Sequence, residues 1–116
     1  MNQEMINYLI PAAIILYFVF KFFKFKKVKS ILPEILKQGA TIVDVRSPGE
    51  FNMARNELSI NIPLDNLANQ LKKIDPTKPV ILCCASGTRS GIAVGILKAN
   101  GYTQVYNAGS WSNTII

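Results

Sequence analysis

The sequence predicts an α/β domain with a mostly parallel central sheet flanked by helices, preceded by one transmembrane helix. Two observations carry this. From residue 30 onward, short and almost wholly apolar runs alternate with helix-like segments, which is how parallel strands buried on both faces read. Ahead of them stands a single long apolar segment followed closely by lysines. The 116 residues leave room for one domain, and the 87 or so beyond the apolar segment suffice for one modest core.

The apolar segment is residues 5 to 25, MINYLIPAAIILYFVFKFFKF. Tyr8 to Phe20 carry no charge, and apolar character continues through Phe22, Phe23 and Phe25. A bilayer core takes roughly 20 apolar residues in a helix. Lys21 and Lys24 extend the usable span, since their ammonium groups can snorkel to the interface. Pro11 lies near the start, where a missing N–H is tolerated. A cleaved signal peptide would want a basic start and a small-residue cleavage site. The chain offers Met1-Asn2-Gln3-Glu4 and a run ending in Lys and Phe. Residues 1–25 are therefore expected as an uncleaved anchor, 26–29 as a basic juxtamembrane linker and 30–116 as the domain.

The net charge of +6 is unevenly spread. Residues 1–29 hold +4 of it, in Lys21, Lys24, Lys26, Lys27 and Lys29 against Glu4. The basicity is thus a juxtamembrane cluster, and no nucleic-acid face is expected. Lysines after the apolar segment put the domain on the cytoplasmic side of a single-pass membrane protein. They could also touch anionic headgroups, though a stop and orientation signal is the plainer reading. Cys83 and Cys84 are adjacent and the chain has no histidine. Two neighbouring thiols make a poor crosslink and no zinc cage, and a free pair suits a reducing compartment.

The elements follow in order. Ser30 to Gln38 predicts a short helix, with Ser30 as cap, Pro33 in the first turn and Gly39 at the end. Lys26 to Lys29 reads as linker or short strand. Thr41 to Val45 predicts a buried strand, broken by Arg46-Ser47-Pro48-Gly49. Glu50 to Ala54 reads as a helical turn, and Ile60 to Ile62 as a second strand stopped by Pro63. Leu64, Leu67, Leu71 and Ile74 recur at helical spacing and predict an amphipathic helix from Asp65 to Ile74. Val80 to Cys83 is a third strand, Arg89 to Asn100 a helix ended by Gly101, and Gln104 to Tyr106 a fourth strand.

The chemistry concentrates in Val80 to Ser90, VILCCASGTRS. A cysteine ends a buried strand, small residues follow, and a helix begins. Ligands of open α/β sheets bind beyond the carboxyl ends of the strands. Backbone N–H groups of such a loop converge on an anion, and that field lowers a thiol's pKa. Cys84 becomes a nucleophile in its own anion cradle, with Gly87 letting the backbone curl. The plain alternative is an inert buried cysteine beside a glycine turn.

Cys84-Ala85-Ser86-Gly87-Thr88-Arg89-Ser90 resembles the active loop of the rhodanese family, Cys-x-x-Gly-x-Arg-Ser. Asp44-Val45-Arg46-Ser47-Pro48-Gly49-Glu50-Phe51 is similar to that family's Asp-Val-Arg-x-x-x-Glu-Phe, and Asn61-Ile62-Pro63-Leu64 to its Asn-Ile-Pro-Leu. Gly101-Tyr102, Val105-Tyr106 and Gly109-Ser110-Trp111 resemble its last helix end and strand. The pieces run in order from about Ser30 to Trp111. The resemblance implies a rhodanese-like three-layer domain and sulfur transfer through a persulfide on Cys84. It implies a small anionic, thiosulfate-like donor, a thiol, cyanide-like or protein acceptor, and no metal or organic cofactor. Ala85, Ser86, Gly87, Thr88, Arg89 and Ser90 would bind the persulfide. Arg89 would hold the loop, Asp44 and Arg46 would brace it, and Glu50 would be their partner; a structural ion-pair network accounts for these charges equally well. The family's Gly-His stands here as Ala54-Arg55 and a further glycine as Leu58, so the turn before the second strand is expected to be built differently. Arg55 reads as a solvated surface residue rather than an anion contact.

Two other functions compete. Counted from Cys83, five residues precede Arg89-Ser90, which is the spacing of cysteine phosphatases. Ser86 holds the place where that loop wants glycine, and no histidine precedes Cys83. A partner-dependent sulfur-relay or docking module at the membrane is the other. Cys83 reads as a small apolar residue, with a resolving thiol or vicinal disulfide as its alternative.

Overall fold

The computed structural model describes residues 2–116. Its first element, α1 (Gln3–Lys37), is one continuous helix of 35 residues. The linker or strand expected at 26–29 and the separate helix from Ser30 do not exist. Nothing between Lys21 and Leu32 breaks a helix, and lysines propagate one well. Pro33 lies inside α1 instead of opening a helix, where it removes one backbone hydrogen bond. One face carries Lys21, Phe25, Val28, Leu32 and Ile35 at spacings of four and three, and the last three are buried in the domain. No residue of α1 ahead of Val28 is buried, and this part is long and apolar enough to cross a membrane.

The rest follows as β1 (Thr41–Asp44), α2 (Pro48–Met53), β2 (Ser59–Asn61), two 3₁₀ turns (Leu64–Asn69 and Leu71–Lys73), β3 (Val80–Cys84), α3 (Thr88–Ala99), β4 (Val105–Ser110) and a closing 3₁₀ turn (Trp111–Thr114). The four strands form one sheet in the order β2-β1-β3-β4, and every neighbouring pair is parallel. Side chains alternate along β3. Val80, Leu82 and Cys84 join the core shared with α3, which includes Val43, Leu67 and Leu97. Ile81 and Cys83 join the opposite core under α1, with Leu32 and Ile35. This is the three-layer arrangement that the sequence predicts.

The amphipathic helix expected from Asp65 to Ile74 is instead the two 3₁₀ turns. Its apolar residues do face the core: Leu67 and Ile74 are buried and Leu64 and Leu71 pack beside them. The backbone bonds, however, run to the third residue back, as from Ile74 N–H to Leu71 C=O. The single Tyr102 hydroxyl proton is shared between the carbonyls of Leu71 (3.0 Å) and Ile74 (2.8 Å), a tertiary contact that takes up both at the end of the tighter turn. Strand β4 runs on to Ser110, past the expected Tyr106. A bulge accommodates this, since Leu82 pairs with Asn107 and Cys83 with Gly109. The turn before β2 is built on Asn56, whose side chain accepts from Leu58 N–H (2.9 Å) and donates to Thr114 Oγ1 (3.0 Å). Leu58 is exposed, so the turn works without the glycine that the resemblance led one to expect.

Candidate active site

Cys84 is the last residue of β3, and its side chain is 1% exposed. The chain turns through Ala85 and Ser86 to Gly87, which caps α3 at φ +104°. That left-handed conformation is open to glycine and costly for other residues. The Gly87 N–H donates back to Cys84 Sγ at 2.9 Å. The Ser90 hydroxyl lies 3.4 Å from the same sulfur. Burial pushes the Cys84 thiol up. The Ser90 hydroxyl, with the backbone N–H groups of Ser90, Gly87 and Ser86, outweighs burial and leaves the thiol below its ordinary value. The sulfur thus sits at the N-terminus of a twelve-residue helix, whose dipole favours the charged form.

Ser90 is held in turn. Its hydroxyl donates to Asn107 Oδ1 at 2.7 Å, and that oxygen also accepts the Gly109 N–H at 2.9 Å. Asn107 Nδ2 donates to the Gly87 carbonyl at 3.1 Å. Asn107, at the β4 bulge, therefore ties together both ends of the loop. The sequence reading missed it, although a lone asparagine between apolar strand residues and Gly109 was a visible signal. Phe25 was missed as well. A Cβ on Gly87 would stand 2.5 Å from its ring, and one on Gly109 would stand 2.9 Å from it. The helix α1 therefore packs directly on the back of the loop.

The charged residues singled out around the loop form two pairs. Arg46 makes a forked contact with Asp44, the shortest bond being 2.8 Å, and both are buried. Arg46 also donates to the Ala54 carbonyl at 2.7 Å and lies 5.0 Å from the Trp111 ring centre. Glu50 was expected to partner this pair. Its carboxylate instead accepts both Arg89 Nη groups, at 2.7 and 2.9 Å, and only its backbone carbonyl faces Arg46, at 3.4 Å. Arg46 turns its fork to Asp44 and further Nη donors to the carbonyls of Ala54 and Glu50, while the Glu50 carboxylate lies with Arg89. Glu50 also closes a capping box with Ser47. Arg89 first and Ser47 second hold its carboxyl down at about 2. Asp44 and Arg46 thus fix α2, α2 presents Glu50, and Glu50 clamps Arg89 at the start of α3. Arg55 stacks 5.1 Å from the Phe51 ring and touches Glu57 at 3.6 Å.

Cys83 points to the opposite face of β3 and is fully buried under α1. Burial, then the nearby Asp44 charge, pushes its thiol far up. The alternative count from Cys83 therefore has a nucleophile that faces away from the loop and stays protonated. The two sulfurs also lie on opposite sides of the strand, which leaves no geometry for a vicinal disulfide.

The parallel sheet thus ends in a strand–Cys–loop–helix arrangement that places one thiol against backbone N–H groups. Residues 28–113 match the family model described as "Rhodanese-like domain", and the chain belongs to that family. It is 36% identical over 109 residues to the uncharacterized protein YqhL of Bacillus subtilis, covering 90% of this chain and 86% of that one. It is 34% identical over 85 residues to the thiosulfate sulfurtransferase GlpE of Pseudomonas syringae, covering 68% and 78%. Among solved structures, a rhodanese-related protein from Thermoplasma volcanium superposes with a TM-score of 0.63 at 31% identity, covering 74% of this chain and 85% of that one.

Proposed function

We propose that this protein is a membrane-anchored sulfurtransferase that carries sulfur as a persulfide on Cys84. The observation that carries the reading is the Cys84 sulfur held by the Gly87 N–H and the Ser90 hydroxyl, with its pKa drawn down despite burial. The kinship with a protein named thiosulfate sulfurtransferase supports thiosulfate, or a similar small anionic sulfane-sulfur compound, as donor. The Cys84 thiolate attacks the outer sulfur, the S–S bond of thiosulfate breaks, and sulfite leaves with the bonding pair. The resulting persulfide anion lies among the loop N–H groups of Ser86, Gly87 and Ser90, which suit a negative charge. A nucleophilic acceptor then takes the outer sulfur and regenerates the Cys84 thiolate, so one transfer is split into two easier ones. Ala85, Ser86, Gly87, Thr88, Arg89 and Ser90 shape the cradle. Asp44, Arg46 and Glu50 position it through α2. Residues 5–25 anchor the chain in the membrane, and the lysines that follow keep the domain cytoplasmic.

Intact-mass analysis after exposure to thiosulfate tests this. Wild type gains the mass of one sulfur atom and loses it with reductant or cyanide, and Cys84→Ser gains nothing. Unchanged mass in the wild type, or a gain that survives in Cys84→Ser, overturns it.

A further inference from the structure

Beside the Phe25–Gly87 contact, a cavity of about 750 Å³ opens between α1 and the Ser86–Thr88 loop. One wall is Tyr17, Phe18, Phe22 and Phe25 of α1, and the other is the loop from Ser86 to Thr88 with Ile92 of α3. Gly87 serves both sites, since its N–H holds Cys84 Sγ and it forms part of this wall. The seating of α1 is fixed from the domain side. Val28, Leu32 and Ile35 are buried, and Phe25, one turn earlier on the same face, rests on Gly87 and Gly109. The helix therefore leaves the domain alongside the loop. Phe18 to Phe25 covers about 10 Å of its length.

The wall is apolar with a single charge. Lys21 is half-buried, its Nζ 5.6 Å from the Tyr17 ring centre and 5.9 Å from that of Phe25. No carboxylate lines the cavity among the described residues. Phe22 and Ile92 are each more than half exposed within it. Residues 17–25 are also the last turns of the proposed membrane span, which sets the cavity at the boundary of hydrocarbon and headgroups. Thiosulfate and sulfite are small, fully hydrated anions and gain nothing from four aromatic rings. A molecule with a hydrocarbon body and an anionic end fits this wall.

Building on the sulfur-transfer reading, we propose that the sulfur acceptor is a membrane-dissolved thiol with an apolar tail. The tail lies against Phe18, Phe22 and Ile92, and the thiolate end sits near Lys21 beside the loop. Its sulfur attacks the outer sulfur of the Cys84 persulfide. The Cys84 S–S bond breaks, the acceptor leaves as the alkyl persulfide, and the electron pair returns to Cys84 as thiolate. No other oxidant or reductant enters.

The test uses the full chain in detergent micelles with Cys84 loaded with sulfur. Loss of that sulfur to 2-mercaptoethanol, 1-butanethiol and 1-hexanethiol is followed by intact mass and normalised to the loaded fraction. Each methylene withdrawn from water is worth up to about fourfold, so the wild-type rate constant climbs with tail length. Phe22→Ala and Ile92→Ser each lower the hexanethiol to mercaptoethanol ratio about fivefold. Micelle partitioning is common to all variants, so only differences between them count. Lys21→Gln moves the pH midpoint of butanethiol transfer upward, which a purely structural lysine would not do. A flat wild-type series, or a ratio unchanged in both variants, overturns the proposal. If thiosulfate fails to load Cys84, the donor assignment falls instead; inorganic polysulfide then loads the thiol, and the tail series is read as before.

Discussion

Gly87→Ala probes the point where α1, the loop and β4 meet. The added Cβ would stand 2.5 Å from Phe25 Cζ, 3.0 Å from Phe25 Cε2 and 3.2 Å from Gly109 Cα. Two costs add. A non-glycine residue at φ +104° carries strain of about 1–3 kcal/mol. Displacing Phe25 in a packed site costs about 1–3 kcal/mol more. The variant is therefore expected to lose about 2–6 kcal/mol. The two parts separate in a cycle with Phe25→Ala. Removing the ring relieves the steric part and leaves the backbone strain, so the coupling between the two changes is about 1–3 kcal/mol. The assay is urea unfolding of the full chain in micelles, followed by Trp111 fluorescence. If Gly87→Ala is as stable as wild type, the strain argument fails. If Phe25→Ala recovers none of the loss, α1 does not rest on the loop and the cavity described above goes with it.

Three further outcomes are expected. Ser90→Ala removes the hydroxyl beside Cys84 Sγ and unties the loop from Asn107, so the pH midpoint for alkylation of Cys84 moves upward; an unmoved midpoint refutes the role given to Ser90. Glu50 is held near 2 in the fold, against an ordinary value of 4.5, first by Arg89. A folded value below the unfolded one means a contribution that is complete above pH 4.5 and disappears as pH falls toward 2. Thermal scans across that window should show an acid-labile increment in the wild type that Glu50→Gln lacks. Asp44→Asn leaves the Arg46 guanidinium buried without its counter-charge, an expected loss of about 3–5 kcal/mol. A loss under about 1 kcal/mol would mean that water reaches Arg46, contrary to its burial.

Local signals were legible in proportion to how local their causes are. The strands β1 and β3 read nearly to their ends because each is a short apolar run, whereas β2 and β4, with polar and small residues, were placed but not bounded. The pairing of Asp44 with Arg46 is also local, two residues apart. What escaped were contacts between distant segments. Helical spacing of Leu64, Leu67, Leu71 and Ile74 is met equally by two 3₁₀ turns, and a hydroxyl from Tyr102 decided between them. The run Lys21, Phe25, Val28, Leu32, Ile35 crosses the expected linker without losing phase, and that was the available clue to a single helix.

By itself the sequence determined the succession of the four strands, the helix α3, the apolar N-terminal segment and the cysteine at the end of β3, because hydrophobic period and turn chemistry act between near neighbours. Only the tertiary structure decided which carboxylate takes Arg89, that Asn107 governs Ser90, and that Phe25 closes on Gly87 and Gly109. Those choices depend on sheet order and on the bulge in β4, which bring distant residues within bonding distance. No spacing along the chain encodes that distance.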